Sequence, residues 1–287
     1  MSTRSLTGRF APSPSGSLHA GSLLAAVASF VDARARNGRW LVRMEDIDPP
    51  REMAGADHLI LQTLEQHALY WDGEVLYQST RAARYREVLA DLQARQLAYR
   101  CACARARLAG LNHVYDGHCH LYPPPDEQAC ALRLQLPNKT VHFDDRILGA
   151  QSQHLAEAGD CIIHRKDGLF AYQLAVVVDD IEQGVTDIVR GSDILPATGI
   201  QIHLTKLLGG IPSRYAHVPV LLGADGQKLS KQNRAPALDN TRASANLHLA
   251  LTQLGQTPPA ELAHESPATI LKWAITHWGM AKIKNGL

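Results

Sequence analysis

The segment RFAPSPSGSLHAG, residues 9–21, joins a short apolar run to a longer run with helical spacing. We predict that Arg9–Pro12 ends a first strand, and that the Pro-, Ser- and Gly-rich loop after it leads into a helix over about His19–Asn37. Apolar residues every three or four positions support this helix, and Gly38 is a typical residue to end it. Trp40–Met44 has the pattern of a second strand. Strand, helix and strand in this order predict a βαβ unit, and parallel sheets bind ligands at the carboxyl ends of their strands.

The remaining sequence alternates between helical and extended patterns, which predicts the α/β class. Further helices are predicted at Met53–His67, Arg81–Arg95 and Pro196–Leu208. Alternating apolar and polar residues over Ala131–Gly168 suit antiparallel strands, and we interpret this stretch as part of an insertion. The apolar run Leu174–Val178 predicts a buried strand that ends at Asp179-Asp180. After Pro236 the pattern is helical, with Pro breaks.

The composition excludes some classes of function. The 287 residues are 45% hydrophobic, enough for a substantial core, and Lys plus Arg (29) nearly balance Asp plus Glu (28). This balance argues against a protein that binds polyanions through bulk charge alone. The N-terminus has no apolar signal region, and no stretch has the roughly 18 apolar residues that span a bilayer. We therefore expect a cytoplasmic protein, in which five Cys favour metal binding or catalysis over disulfides.

The loop Pro12–Ser22, between the predicted strand and helix, is typical of an anion site. A strand-to-helix turn directs backbone N–H groups and the helix dipole at an anion, and Gly16 and Gly21 let a nucleotide approach the backbone. His19 can donate a hydrogen bond to a phosphate whose charge grows in the transition state. The alternative is a loop capped by Ser17 in which His19 is exposed and has no catalytic role.

A second candidate motif, KLSK at residues 228–231, follows the turn GADG at residues 223–226. Two lysines three positions apart on a mobile loop can close over a triphosphate and neutralise its charge during displacement. The alternative is a short basic loop on the surface, which is the commoner meaning of an isolated Lys-x-x-Lys.

Together, in this order and near opposite ends of an α/β region, the two motifs resemble the HIGH-like and KMSKS-like signatures of class I aminoacyl-tRNA synthetases. The match is closest to the glutamyl branch and extends over about 220 residues. It is carried by the segments Arg9–Pro14, Leu18–Gly21, Arg43–Asp48, Tyr172–Asp180, Gly184–Gly191 and Lys228–Lys231.

The resemblance implies a Rossmann-type catalytic domain that forms an aminoacyl adenylate from ATP, bound with Mg²⁺, and transfers the acyl group to RNA. By position, the catalytic residues are His19, Lys228 and Lys231. The ATP-binding residues are Pro12, Ser13, His19, Gly21, Ser22 and Lys231. The glutamate-binding residues are Arg9, Ala11, Ser13, Glu45, Tyr172 and Arg190. These residue types suit the substrate, because the two guanidinium groups pair with carboxylates, Glu45 pairs with an ammonium group, and Tyr172 lines the pocket. Without the motifs, a surface salt bridge or a core Tyr would be the ordinary interpretation.

One position departs from the glutamyl pattern. Glutamyl-tRNA synthetases usually have an Asn four residues after the pocket Tyr, and this chain has Val176 there. The loss of one well-placed polar contact weakens binding by about 1–3 kcal/mol. We therefore expect glutamate to be held less tightly than in the larger enzymes.

A spacing that suits a zinc site is found for Cys101, Cys103 and Cys119. Two thiolates separated by one residue can bind one Zn²⁺, whose tetrahedral shell then needs two more ligands. Cys119 is the natural third ligand. On spacing alone, the candidates for the fourth are His113, Tyr115, His118, His120 and Cys130. The short paralogues of the glutamyl synthetases share the pattern Cys-x-Cys, Tyr, three residues, Cys, and this resemblance implies Tyr115. A site closed by four protein ligands is structural. The alternative is three reduced cysteines without metal, and Cys130 and Cys161 are most simply core residues.

The resemblance also divides the chain into four parts. Residues 1–81 form the first Rossmann half, 82–170 an α+β insertion with the zinc site, 171–235 the second half with the KMSKS-like loop, and 236–287 a short helical remnant. Only about 55 residues follow Lys231, where the larger glutamyl enzymes continue into an anticodon-binding region. We therefore expect that the anticodon-binding region is missing.

The short paralogues with this layout are the glutamyl-Q tRNA(Asp) synthetases, which attach glutamate to queuosine in the anticodon loop of tRNA(Asp). The resemblance implies ATP, L-glutamate and queuosine-containing tRNA(Asp) as partners, with tRNA-independent activation by a monomer. Single-stranded loops are the usual targets of sequence-specific RNA recognition. The alternatives are a weak glutamyl-tRNA synthetase, an adenylate-forming enzyme that loads a non-tRNA acceptor, and an RNA-binding remnant without catalysis.

Overall fold

The computed structural model describes residues 5–111, 114–221 and 236–284. Its helices are α1 (Ala20–Ala35), α2 (Ala56–Gln66), α3 (Ala82–Ala94), α4 (Arg105–Ala109), α5 (His118–Leu121), α6 (Leu155–Ala158), α7 (Tyr172–Glu182), α8 (Thr198–Leu207), α9 (Ala243–Gln253) and α10 (Pro267–His277). Its strands are β1 (Thr7–Phe10), β2 (Arg39–Met44), β3 (Leu76–Tyr77), β4 (Ala98–Cys101), β5 (Ala131–Leu134), β6 (Thr140–Asp145), β7 (Gly149–His154), β8 (Cys161–His164), β9 (Asp187–Gly191) and β10 (Arg214–Val218).

The larger sheet of the described residues has the strand order β3-β2-β1-β9-β10-β6-β7. β1 pairs in parallel with β2 and with β9, and β9 pairs in parallel with β10. The carboxyl ends of these strands therefore share one edge of the sheet. α1 connects β1 to β2 and buries Leu23, Val27 and Val31 against the sheet. Residues 9–44 thus form the βαβ unit that their sequence predicts.

The predicted insertion contributes strands to two sheets. β4, β5 and β8 form a separate antiparallel sheet. β6 and β7 form an antiparallel hairpin, and β6 also pairs with β10 of the larger sheet, through Asp145 and Tyr215. The antiparallel strands predicted over Ala131–Gly168 are therefore present, and one hairpin among them extends the larger sheet. The four-part division of the chain stays a prediction.

The strand predicted at Leu174–Val178 is wrong, because these residues lie in helix α7. Every residue from Leu174 to Asp180 is buried, so this part of the helix has no exposed face. A helix buried on all sides shows the same continuous apolar run as a buried strand. Its packing against α3, α8 and β8 outweighs the weak helix propensity of three consecutive Val residues. The strand of this region is β9, which follows the helix.

The C-terminal region is helical, as its sequence predicts. α9 and α10 pack against each other and against α1. Their buried residues Leu247, Leu251 and Ile270 belong to the same core cluster as Leu23 and Val27 of α1. This region therefore braces the first βαβ unit. None of the helices described is both long and apolar enough to cross a membrane.

Candidate active site

A cavity of about 860 Å³ lies at the carboxyl edge of the larger sheet. Its lining comes from the segments that follow β1, β2 and β9, together with residues from the predicted insertion and the start of α7. The lining residues are Ala11, Ser13, Glu45, Ile47, Asp48, Arg51, Ile162, Arg165, Phe170, Ala171, Tyr172, Asp193 and Ile194. Four of the six predicted glutamate-binding residues are thus brought together: Ala11, Ser13, Glu45 and Tyr172. The other two, Arg9 and Arg190, lie in the interior.

Glu45 follows β2 and has a buried carboxylate that lacks a full set of partners. Its Oε1 atom has no hydrogen bond among the described residues, and the nearest cation, Nη2 of Arg43, is 3.6 Å away. Burial raises the pKa of Glu45 to about 7, although Arg43 and Arg9 oppose the shift. A buried carboxylate that faces a cavity and has only a long ion pair with the protein suits a cationic ligand group such as an ammonium.

Arg9 pairs with a carboxylate of the protein itself. Its Nε and Nη2 atoms donate to Asp180 at 3.2 and 3.5 Å, and Asp180 also lies 2.9 Å from Nη1 of Arg43. Burial would raise the pKa of Asp180, but the two arginines outweigh it and hold the pKa below its usual value. Arg9, Asp180, Arg43 and Glu45 therefore form a buried chain of alternating charges that ends at the cavity.

Arg190 lies on β9 and is held at each guanidinium nitrogen. Nε donates to His217 Nε2 at 3.1 Å, Nη2 donates to Thr198 Oγ1 at 2.8 Å, and Nη1 donates to Gln201 Oε1 at 2.7 Å. Nη1 also lies 3.5 Å from the hydroxyl oxygen of Tyr172, which lines the cavity. A guanidinium fixed in this way is pre-organised to bind a planar carboxylate.

The loop before α1 has the geometry expected of an anion site. His19 is the N-cap of α1, and its Nδ1 atom accepts the backbone N–H of Ser22 at 3.4 Å. A neutral ring that accepts at Nδ1 carries its proton on Nε2, which is then a donor. Gly16 has a φ of 136°, a conformation that favours glycine. Gly21 and Ser22 lie in the first turn of the helix, and the carbonyl of Pro12 accepts the backbone N–H of Glu45 at 2.9 Å.

The predicted lysines Lys228 and Lys231 lie outside the described residues. β10 ends at Val218, three residues before the last described residue of this part of the chain, Leu221. The position of Lys228 and Lys231 relative to the cavity therefore stays a prediction.

The three cysteines predicted to bind zinc lie together. The Sγ atoms of Cys101, Cys103 and Cys119 are all within 4.8 Å of one another. The hydroxyl oxygen of Tyr115 is 3.4 Å from Cys101 Sγ and 3.7 Å from Cys103 Sγ. It also accepts the backbone N–H of Cys119 at 2.8 Å. Three thiols and one phenol thus lie in one cluster, and this donor set fits a closed tetrahedral zinc site.

The other candidates for the fourth ligand are placed differently. His120 contacts the amide of Gln135, and the ring of His118 packs against that of Tyr122. Cys130 is not part of the cluster of thiols, and His113 lies outside the described residues. The geometry therefore favours Tyr115 among the described candidates.

A buried arginine stands beside the thiols. Arg133 Nε donates to Cys101 Sγ at 3.2 Å, and its guanidinium carbon lies 3.8 Å from the centre of the Tyr115 ring. Its Nη1 donates to the carbonyl of Asp160 at 2.6 Å, so its position is fixed. A cation here suits a donor set that becomes strongly anionic when thiols lose their protons to bind a metal.

The sequence did not assign several residues that shape the site. Arg43, Asp180, Asp145 and His217 are all buried; the first two pair with Glu45 or Arg9, His217 contacts Arg190, and Asp145 contacts His217. A signal was present for two of them, because Arg43 and His217 interrupt the apolar runs WLVRM and YAHVPV. A charged or polar residue inside a buried strand needs a partner, and such pairs cluster at functional sites.

Comparison with known proteins gives the family. Residues 5–253 match the family described as tRNA synthetases class I (E and Q), catalytic domain. The chain is 52% identical over 277 residues to the glutamyl-Q tRNA(Asp) synthetase of Ectopseudomonas mendocina, covering 96% of this chain and 94% of that protein. It is 51% identical over 282 residues to that of Pseudomonas aeruginosa PAO1, covering 98% and 96%. It is 52% identical over 290 residues to that of Thiobacillus denitrificans, covering 99% and 96%.

Two solved structures share the fold. The glutamate tRNA ligase of Elizabethkingia meningosepticum, crystallised with its amino acid, superposes with a TM-score of 0.82 at 20% identity and covers 99% of this chain. The glutamate-tRNA synthetase of Elizabethkingia anophelis gives a TM-score of 0.82 at 21% identity and covers 98% of this chain. The chain spans 66% and 67% of the length of these two proteins.

These matches confirm the resemblance that was inferred from the motifs. The matched region contains the whole cavity, including Glu45 and Tyr172, and the interior arginines Arg9 and Arg190. With an α/β fold, a βαβ unit that carries the first motif and a family match over residues 5–253, the chain belongs to the class I tRNA synthetases of the E and Q group.

Proposed function

We propose that the chain activates L-glutamate with ATP and transfers the glutamyl group to queuosine in the anticodon loop of tRNA(Asp). The observation that carries this proposal is the cavity lined by Glu45 and Tyr172, with the fixed guanidinium group of Arg190 lying 3.5 Å from the hydroxyl oxygen of Tyr172. The choice of queuosine in tRNA(Asp) as the acceptor is supported by the names of the relatives that are about 50% identical.

Glutamate needs groups for two carboxylates and one ammonium. Arg190 and Arg9 supply guanidinium groups, and Glu45 supplies the anion for the ammonium. Ala11, Ser13 and Tyr172 line the space between them. An amino acid without a side-chain carboxylate could pair with only one of the two guanidinium groups, which disfavours it.

The residues that would bind ATP are Pro12, Ser13, His19, Gly21 and Ser22 of the loop before α1, together with Lys231, and Mg²⁺ bound with ATP would supply positive charge. A carboxylate oxygen of glutamate attacks the α-phosphorus, and pyrophosphate leaves. His19, through Nε2–H, and Lys228 and Lys231 stabilise the charge that develops on the phosphates. A hydroxyl of queuosine then attacks the acyl carbon, and AMP leaves.

Zinc has a structural part in this proposal. Cys101, Cys103, Cys119 and Tyr115 would hold it, and four protein ligands would leave no open position for chemistry. The metal fixes the segment between β4 and β5, and it takes no part in the reaction. That the enzyme works as a monomer in the cytoplasm also stays a prediction.

The test of the acceptor uses labelled glutamate, ATP and tRNA(Asp) with or without queuosine. We expect label only on the queuosine-containing tRNA, bound at the base and not at the 3′ end. Equal labelling of tRNA(Glu) at its 3′ end would indicate a weak glutamyl-tRNA synthetase. Label on a product formed without RNA would indicate an adenylate-forming enzyme with another acceptor.

The test of activation is amino-acid-dependent pyrophosphate exchange without tRNA, run with glutamate, glutamine and aspartate. We expect exchange with glutamate, and exchange with glutamine alone would contradict the assignment of Arg9 and Arg190. Lys231→Ala should reduce exchange by about 100-fold or more if the lysine neutralises the phosphates in the transition state. Lys206→Ala, an exposed lysine of α8, is the matched control and should exchange like the wild type.

A further inference from the structure

We propose that Asp145 and His217 are positioning residues for Arg190, and that they help to select the amino-acid substrate. The inference rests on the proposed function, in which Arg190 holds a carboxylate of glutamate. Asp145 ends β6, so the hairpin β6–β7 takes part in amino-acid binding although it does not line the cavity.

The contact between His217 and Arg190 fixes the protonation of the imidazole. His217 lies on β10 beside Arg190 on β9, and its side chain is fully buried. The Nε–H of Arg190 can only donate, so His217 Nε2 accepts it, at 3.1 Å. The ring proton is therefore on Nδ1, which donates to Asp145 Oδ2 at 2.6 Å. Burial also lowers the pKa of His217, which favours the neutral ring.

Asp145 is itself held in one orientation. Its Oδ1 atom accepts the backbone N–H groups of Ile147 at 3.0 Å, Leu148 at 2.9 Å and His217 at 3.2 Å. Burial would raise the pKa of Asp145, but hydrogen bonds from His217 and the backbone lower it to about 2. The turn of the hairpin therefore presents a fixed, charged acceptor to the imidazole, and this acceptor selects one tautomer.

The pair completes the set of contacts that orients the guanidinium. Thr198 and Gln201 hold Nη2 and Nη1, and His217 holds Nε. With a partner at each nitrogen, the plane of the guanidinium is fixed, and Nη1 stays 3.5 Å from the hydroxyl of Tyr172 at the cavity. Loss of the acceptor at Nε leaves a buried N–H unpaired, so the guanidinium turns to find another partner.

Two variants of His217 separate the acceptor from the bulk of the side chain. H217Q keeps an oxygen near the position of Nε2, whereas H217N keeps only a polar group near Nδ1. In glutamate-dependent pyrophosphate exchange, we expect H217N to raise KM for glutamate by about 10-fold or more, with kcat within about 3-fold of the wild type. H217Q should keep KM for glutamate within about 3-fold. KM for ATP should be unchanged in both variants.

The tautomer is tested by D145N. The amide of this variant can donate to Nδ1 and so favours the opposite tautomer, whose Nε2–H faces the Nε–H of Arg190. We expect D145N to raise KM for glutamate by about 10-fold or more when His217 is present. The same substitution in the H217Q background should change it by less than about 3-fold, because a Gln side chain has no tautomer to reverse.

The possible outcomes are distinct. A glutamate KM near the wild-type value in both H217N and D145N overturns the positioning role. A parallel rise of KM for ATP and for glutamate also overturns it, because it indicates that the pair only supports folding. If the wild type itself shows no exchange with glutamate, the proposed function fails, and the inference fails with it.

Discussion

Asp180 Oδ1 lies 3.2 Å from Arg9 Nε in the protein interior. The same oxygen lies 2.9 Å from Arg43 Nη1. Asp180 is near the end of α7, whereas the two arginines are on β1 and β2, so one carboxylate joins the helix of the second predicted Rossmann half to the strands of the first. Both guanidinium groups are buried, and Asp180 compensates the charge of each, with Glu45 as a second anion 3.6 Å from Arg43.

Asp180→Asn should therefore lower the free energy of unfolding by about 3–5 kcal/mol, because it leaves the buried Arg9 without its anion and Arg43 with Glu45 alone. Urea unfolding followed by circular dichroism measures the change. Asp126→Asn is the matched control, since Asp126 is fully exposed in its pair with Arg100 and such pairs contribute about 0–1 kcal/mol. Equal stability of the two variants would show that Asp180 is not needed to compensate the arginines.

The sequence predicts the first βαβ unit but not the ion pairs that join it to Asp180. The first βαβ unit has clear helical spacing and a clear glycine stop, and the structure agrees within a few residues. The sequence of Leu174–Val178, within α7, predicts a strand because complete burial removes the periodicity that separates a helix from a strand. The ion pairs of Asp180 do not follow from that prediction, since the position of a side chain at the end of a strand differs from its position on the last turn of a helix.

The candidate site likewise combines residues that sequence motifs assign with residues that only the fold brings together. Glu45 and Tyr172 were assigned from motifs, and they line one cavity. Asp145 and His217 are 72 positions apart, and neither belongs to a motif. Their contact depends on the pairing of β6 with β10, a long-range feature that no local spacing encodes.

The raised pKa of Glu45 predicts a specific dependence of stability on pH. The pKa is about 7 in the folded protein and 4.5 in the unfolded reference, so the folded state binds more protons between these values. Stability is therefore lost as pH rises from 4.5 to 7, by about 3 kcal/mol for this residue. The difference in unfolding free energy between wild type and Glu45→Gln should fall by that amount over the window. Glu87→Gln, at an exposed position, should show no such trend.

Removal of a zinc ligand should abolish metal binding. Cys119→Ser replaces one of the three clustered thiols, and we expect the purified variant to contain less than about a tenth of one zinc per chain, against about one for the wild type. Atomic absorption measures the content. Cys130→Ser is the matched control because Cys130 is outside the cluster, and it should keep its zinc. A full zinc content in the Cys119 variant would rule out this donor set.

Arg133 should increase the affinity of the same site. Arg133→Lys keeps the charge but loses the Nε donor to Cys101 and the planar group over the Tyr115 ring. We expect zinc affinity, measured by competition with a chelator, to fall by about 10- to 100-fold. Arg107→Lys, in an exposed pair with Asp116, should leave the affinity within about 3-fold. Equal affinities in the two variants would contradict a role for Arg133.

Val176 offers a test of how the chain departs from the larger glutamyl enzymes. It lies one turn after Tyr172 on α7 and is buried in an apolar cluster. Val176→Asn should lower the free energy of unfolding of the ligand-free protein by about 1–3 kcal/mol. The reason is that the variant buries an amide among apolar side chains, where it gains no compensating hydrogen bond. It should also strengthen glutamate binding by about 10-fold, because the amide can supply the polar contact that Val lacks.

The control for that pair of effects is Val176→Ala, which removes packing without adding a polar group. It should lower stability and leave glutamate binding unchanged. Calorimetric titration with glutamate, combined with urea unfolding, measures both quantities for each variant. If the Asn and Ala variants bind glutamate equally, residue 176 affects the packing of α7 alone, and Arg190, Glu45 and Tyr172 are sufficient for the amino-acid pocket.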